Sequence, residues 1–383
     1  MALVVWASAG TLSANGFYIP VQDPYATARG NAFVATADRA SAVYYNPAGL
    51  TQLDQIELHA GVYGINLGLE ANTAGSRVET DDQFSLVPQL YLAVPLADKL
   101  AAGVGVNTPF GLSTDWPLTS PFAMVATKTE LKYFTTWGVL AYELTDTFSV
   151  GGGIGVSYAD GELRRADGGG GEFVFEGDDT AVNFIVSALW RPHPQHSFGL
   201  TWRGWSEFDL EGSARTSAGP LGSAEVNDFV TPDTVVVGYA YELNPCWTIE
   251  ANIEWVNWER LNTSTLRTGA GSQPLPFEWD ANFMYGIGTT YAPDDRWNWS
   301  AGYIYIENSQ PDATFNPAIS DADRHWLSAG VGYQGDAWNY QFAYQFAFSD
   351  RDVTGAMGPA APVLNGEYES RFHGFMLSAS RPF

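Results

Sequence analysis

The sequence predicts an all-β chain: a 14-stranded antiparallel transmembrane β-barrel with an N-terminal hatch, or plug, inside the lumen. Composition, a period-two alternation and the lengths of the connections carry that prediction. Aromatic residues are 14% of the chain and charged residues only 16%, against roughly 25% charged in soluble domains. No apolar run reaches the roughly 18 residues that a helical span needs. Many aromatics without such a run suit a barrel, because only one face of each strand meets lipid.

The alternation is strongest at residues 338–349. Trp338, Tyr340, Phe342, Tyr344, Phe346 and Phe348 share one face, against Asn339, Gln341, Ala343, Gln345, Ala347 and Ser349. Six aromatics on one face exceed what most sandwich cores hold and match a lipid-facing stripe with aromatic ends. In Trp247–Trp255 the faces read Trp247, Ile249, Ala251, Ile253, Trp255 against Thr248, Glu250, Asn252, Glu254. Weaker runs recur at 55–68, 84–96, 99–112, 129–144, 147–163, 173–191, 195–210, 229–243, 277–292, 296–307, 324–334 and 367–383, giving 14 in all. The number is even, as in single-chain bacterial barrels. Short connections at Ala97-Asp98, Thr145-Asp146, Pro192–Pro194, Asn244-Pro245, Pro293–Asp295 and Gly335-Asp336 alternate with long ones at 69–83, 113–128, 164–172, 211–228, 261–276, 308–323 and 351–366. Short periplasmic turns and long outer loops are the outer-membrane pattern. The last strand closes on Phe383 behind Phe375, Leu377 and Ala379, a terminal signal for the barrel-insertion machinery; Arg381 departs from the apolar residue usual two places before the end.

At the other end, apolar Ala2–Ala9 and then Leu12-Ser13-Ala14 read as a signal-peptide remnant over 1–14. Residues 15–54 alternate poorly, are rich in alanine and contain Pro47, so short helical turns are expected there. A 14-stranded barrel has more interior than its own side chains fill. The segment is therefore expected inside as a hatch, a periplasmic tail being the alternative, with the barrel spanning 55–383.

Net charge is −25 with only three lysines, which argues against nucleic-acid binding. The single Cys246 has no partner for an internal disulfide. HExxH, GxSxG and CxxC are missing, and Gly168–Gly171 lacks the Lys-Ser/Thr of a phosphate loop, so neither enzyme, metal nor cofactor is expected. His193 and His196 flank a turn and read as strand caps.

The chain resembles the FadL family of outer-membrane transporters, which includes the TodX-like aromatic-hydrocarbon importers. The matching stretches are Asn15-Gly16-Phe17, Gly30-Asn31-Ala32, Asn46-Pro47-Ala48-Gly49-Leu50, Phe110-Gly111-Leu112, Gly286-Ile287-Gly288-Thr289-Thr290-Tyr291 and Asp323-Arg324-His325-Trp326-Leu327-Ser328-Ala329-Gly330. They run from the N-terminal segment to the twelfth strand. The resemblance implies passive uptake of long-chain fatty acids or related hydrophobic compounds by a monomer in the bacterial outer membrane, among its lipids and lipopolysaccharide. Asn46, Pro47 and Ala48 would belong to the hatch that gates passage. A kink in the third strand would release solute sideways; here that strand carries Thr108, Pro109, Phe110 and Gly111, where Pro removes a ladder bond and Gly weakens pairing.

By the same resemblance Arg165 aligns with the arginine that holds the fatty-acid head group. Arg164 beside it must face the opposite way on a strand. Asp280 stands where fatty-acid members carry a partner lysine, which favours an uncharged hydrocarbon, alkane or monoaromatic, as the alternative solute. Trp116 and Phe122 are candidates to line an outer capture groove, or else to pack the loop on the barrel rim. A general porin is the rival within transport, and the hatch segment argues against it. A lipid hydrolase lacks a recognisable nucleophile–base pair, and an adhesin barrel would be indifferent to loss of the hatch.

Overall fold

The computed structural model describes residues 16–81 and 83–383; the expected leader remnant at 1–14 lies outside them. Fourteen antiparallel strands close into a barrel. They are β1 (Glu57–Thr73), β2 (Gln83–Ala97), β3 (Leu100–Asn107, resuming at Leu112–Asp115), β4 (Lys128–Thr145), β5 (Phe148–Ala166) and β6 (Glu172–His193). Then come β7 (His196–Arg203 and Ser206–Thr216), β8 (Gly219–Thr231 and Thr234–Asn244), β9 (Trp247–Val256 and Thr263–Thr268) and β10 (Gly271–Pro276 and Asn282–Tyr291). The circuit ends with β11 (Trp297–Ile306), β12 (Arg324–Gln334), β13 (Asn339–Val353) and β14 (Gly366–Pro382). Closure is made by β1, which pairs with β2 on one side and with β14 on the other, from Glu57↔Pro382 to Thr73↔Gly366.

The alternation sorts side chains as the sequence predicts. On β13, Tyr340 is 52% exposed while Ala343 and Gln345 are fully buried. Around the wall Leu140, Ile154, Val186, Ile287 and Leu377 face outward and are more than half exposed. An apolar surface of that extent is untenable in water and natural in lipid.

Four connections expected as long loops are instead largely continued strands, one of them 69–83, where pairing from Glu70↔Glu79 to Thr73↔Ser76 makes a hairpin. The other three, 164–172, 211–228 and 261–276, form tall hairpins, with Glu211 opposite Asp178 and Ala224 opposite Thr268. Above the membrane neither face of a strand meets lipid, so apolar alternation fades although the ladder does not. The glycine run Gly168–Gly171 is the turn of the 164–172 hairpin. Asp167 organises it by accepting from Gly169 N (2.8 Å), Gly171 N (3.1 Å) and, across to the next hairpin, Ser217 N (2.9 Å). The Ser217 hydroxyl and these N–H groups hold the Asp167 carboxyl well below the usual carboxylate range.

Residues 16–54 are almost wholly buried and lie against the lumen face of the wall. They form α1 (Pro24–Ala28), α2 (Ala42–Tyr45) and a 3-10 turn over Pro47–Gln52. Asp23 caps α1, accepting from Tyr25 N (2.7 Å) and Ala26 N (3.1 Å). Between the helices Gly30 (φ +67°) and Asn31 (φ +57°) make a left-handed turn that favours Gly and Asn. That turn lies directly on the wall: a Cβ at Gly288 would strike Arg29 O, and one at Gly302 would strike Gly30 N. Ser328 Oγ completes the seat, bonding Ala28 O and Gly30 N at 3.3 Å each.

Gly302→Val is therefore expected to unseat the N-terminal segment without opening the barrel. Protease cleavage at Arg29 or Arg39 in a variant that still shows the heat-shifted gel mobility of a folded barrel would demonstrate it. Unchanged protection would mean that this contact does not hold the segment.

Candidate functional site

At and beside this seat the segment is tied to the wall by charge. Glu250 and Glu254 sit on the lumen face of β9, where each carboxylate needs a partner. Arg29 meets Glu250 at 3.2 Å with both side chains fully buried, and Glu250 also accepts from Ala35 N (2.8 Å) and Thr36 Oγ1 (2.7 Å). Arg203 of β7 meets Glu254 at 2.7 Å, and the Tyr18 hydroxyl donates to the same carboxylate at 2.7 Å. Arg203 also donates to Tyr44 O at 3.3 Å. Burial pushes the Tyr44 hydroxyl up to about 12, so it serves as a neutral hydrogen-bonding group. Glu250 and Glu254 were visible in the sequence as acidic residues at inward positions, a signal that a buried cation must come from elsewhere in the chain.

Asn46, Pro47 and Ala48 form a cap. Pro47 starts the 3-10 turn, whose Ala48 N bonds Asn46 Oδ1 (3.2 Å) and Ser187 Oγ of β6 (2.9 Å). The Asn46 amide donates to Val34 O (2.7 Å) and Ala188 O (3.1 Å), joining two parts of the segment to the wall.

The third strand is broken where Pro and Gly stand. Its ladder with β4 runs to Asn107↔Thr135 and resumes at Leu112↔Leu131. Thr108, Pro109, Phe110 and Gly111 thus oppose only Lys132, Tyr133 and Phe134, a one-residue bulge. The bulge is gripped from inside: Ile19 N donates to Pro109 O (2.7 Å), Gly111 N to Phe17 O (2.8 Å) and Gln22 Nε2 to Thr108 O (2.8 Å). Phe110 is buried between Tyr18 and Tyr133, with ring centres 5.3 and 5.0 Å away.

On its other side, β3 pairs with β2 from Ala97↔Leu100 only as far as Leu90↔Val106. The two strands meet again at their outer ends, where Asp81 N donates to Asp115 O (3.1 Å). Among the described residues no ladder pairing joins them between these points, while β2 stays paired with β1 down to Gln83. Phe84 (64%) and Leu86 (41%) stand exposed on this stretch of β2. Pro88 lies on it as well, a residue that sheets accept only at edges and bulges.

Outside the segment, the hairpins and the 308–323 connection enclose a cavity of about 330 Å³ lined by Leu163, Phe173, Leu266, Phe277, Phe315 and Ile319. Arg165 enters it. Its guanidinium lies 5.1 Å from the Phe173 ring centre and donates to the neutral Gln273 Oε1 at 2.7 Å. Arg164 also borders the cavity, but its guanidinium is paired with Glu162 and, at 3.8 Å, with Glu172. Asp280, expected in the pocket, is instead exposed in the break between the two parts of β10, its amide bonded to Ser309 O (2.9 Å), and lies outside this cavity. Trp116 and Phe122 line no open groove. They are buried at 2% and 0%, stacked edge-on at 5.1 Å, with Trp116 Nε1 bonded to Pro317 O (3.0 Å), so they pin one outer connection to another. The groove side of that connection is carried by Met124 and Val125.

Over residues 5–383 the chain matches the sequence model of a family described as outer membrane protein transport protein (OMPP1/FadL/TodX). A long-chain fatty acid transport protein of Salmonella typhi is 23% identical, covering 89% of this chain and 86% of its own length. A crystal structure of a Pseudomonas aeruginosa FadL homologue superposes with a TM-score of 0.87 at 19% identity, over 96% of this chain and 100% of that one. The Pseudomonas putida toluene transporter TodX superposes at 0.77 with 17% identity, over 94% and 98%. At these identities the structural likenesses establish the fold. The family match together with the closed 14-stranded barrel shows that this chain is an outer-membrane protein belonging to the OMPP1/FadL/TodX family of transport proteins.

Proposed function

We propose that this barrel passes long-chain fatty acids, or closely related hydrophobic compounds, across the outer membrane without an energy source. Solute enters the apolar outer cavity, waits on the N-terminal hatch, and leaves sideways between β2 and β3 into the membrane. The observation that carries this is the interrupted β2–β3 ladder beside exposed Phe84 and Leu86. An unpaired edge in hydrocarbon is costly, and a greasy solute passing through a side window avoids the aqueous periplasm. The ion-paired segment filling the lumen does not suit an open aqueous pore.

Relatives of both kinds share the fold, one named for long-chain fatty acids and one for toluene. Arg165 favours the carboxylate: it is a cation in an apolar cavity whose hydrogen bond goes to a neutral amide, leaving charge to be met by a ligand. Asp280, exposed and outside the cavity, places no opposing charge there.

The test is uptake into proteoliposomes of radiolabelled oleate, hexadecane and toluene. Oleate uptake above that of protein-free vesicles is expected, and its absence would refute the reading. Arg165→Ala should lower oleate uptake by about tenfold, the scale of one charge-assisted hydrogen bond, and leave hexadecane untouched. Equal loss of both would remove the head-group role.

A further inference from the structure

At the foot of the side window the wall carries an unusual concentration of unsatisfied polar atoms. Gln89 of β2 and Asn107 of β3 are the next residues beyond the last rung, Leu90↔Val106, and both turn inward. Gln89 is 3% exposed and Asn107 0%. Neither the nitrogen nor the oxygen of the Gln89 amide has a hydrogen-bond partner, and the Asn107 amide has only the neighbouring Tyr91 hydroxyl within reach. One step along the wall, His59 Nε2 and Asp23 Oδ2 face each other at 3.6 Å, neither of them making a hydrogen bond. The Tyr91 hydroxyl between them donates to Gln22 O (3.0 Å), and the Gln22 side chain reaches on to the bulge, accepting from Thr108 N at 3.2 Å. The hatch therefore lies over the two amides and is bonded to the strand break beside them.

Burying an amide with nothing to bond costs stability, and two adjacent ones bring two donors and two acceptors to one spot. A hydrocarbon wall residue would have served a conduit for alkanes better. We infer that Gln89 and Asn107 form a neutral binding site for the polar end of an amphiphilic solute at the inner mouth of the window. The ligand class is a long-chain compound ending in a hydroxyl or an uncharged carboxyl, groups that both donate and accept. Such an end bonds an amide N–H and an amide C=O together, whereas a carboxylate, which only accepts, can use the N–H groups but leaves both carbonyl oxygens unmatched. The site is uncovered when Gln22 and Asp23 withdraw with the hatch. The inference rests on the transport reading and assigns a step distinct from Arg165: the outer arginine reads charge, and the amides read hydrogen bonding.

The experiment is proteoliposome uptake of palmitic acid, hexadecanol and hexadecane by the wild type, by Arg165→Ala and by the double variant Gln89→Met with Asn107→Leu. The double variant is expected to lose about tenfold in both acid and alcohol uptake and nothing in hexadecane. Arg165→Ala should lose the acid alone. The double variant should melt no lower than wild type, since it removes unpaired polar groups. Equal loss of all three solutes, retention of alcohol uptake, or a clear fall in melting temperature would overturn the inference while the transport reading stood. Failure of the wild type to move any of the three would overturn both.

Discussion

Glu250→Ala is expected to free the N-terminal segment from the wall while leaving the barrel folded. The substitution strands Arg29, fully buried, without its carboxylate and cuts the bonds from Ala35 N and Thr36 Oγ1. Breaking a buried pair on one side costs about 3–5 kcal/mol, because the remaining charge stays desolvated. The wall itself loses little, since the β9 ladders with β8 and β10 are backbone bonds. The loss therefore falls on the docking of residues 16–54. Limited proteolysis should show new cleavage at Arg29 and Arg39, and planar-bilayer recordings should show ion conductance where the wild type shows little. Glu250→Gln, which keeps an acceptor for Ala35 N, should do less. Unchanged protection and conductance in the alanine variant would mean that this pair does not hold the segment.

The same pair shows what the sequence could disclose. Strand rhythm is a one-dimensional property, so 14 crossings and a closed sheet were legible from residues such as Trp338–Phe348 and from alternating turn lengths. The outer hairpins were not, because above the lipid the outward face turns polar, as with Glu207, Asp209 and Glu211 on Ser206–Thr216, and the small and polar residues from Gly212 onward look like loop. The family stretches proved to be halves of single contacts. The Gly30-Asn31 turn seats on Gly286, Gly288 and Gly302, and Ser328 of the DRHWLSAG stretch holds it there. That Arg29 would meet Glu250 depends on how the segment folds back across the lumen, and no spacing rule encodes that. Trp116 and Phe122 were ambiguous for the same reason. An aromatic between prolines reads alike whether it lines a groove or, as here, fastens the 113–128 connection to Pro317.

Deleting Pro109 is expected to close the side window and abolish uptake of every hydrophobic solute. Against β4 the kink holds four residues where three would match, so removing one lets the ladder run unbroken from Asn107↔Thr135 to Leu112↔Leu131. The same deletion corrects the parity toward β2. Counting on from Leu90↔Val106, Phe110 then falls opposite Val87 and Leu112 opposite Ser85, inward residues facing inward residues. With Pro109 present the count sets Leu112, which is buried, against outward Phe84; a one-residue slip of this kind flips every side chain. The bulge is thus what keeps β3 from zipping onto β2, and Pro109 supplies the extra residue. The shortened strand gains backbone pairings, so the variant should melt at least as high as wild type while its uptake of palmitic acid and hexadecane drops to that of protein-free vesicles. Replacing Pro109 by Ala keeps the residue count and should keep most of the transport. A deletion variant that folds and still moves both solutes would show that they leave by another route, most directly down the lumen past the displaced hatch.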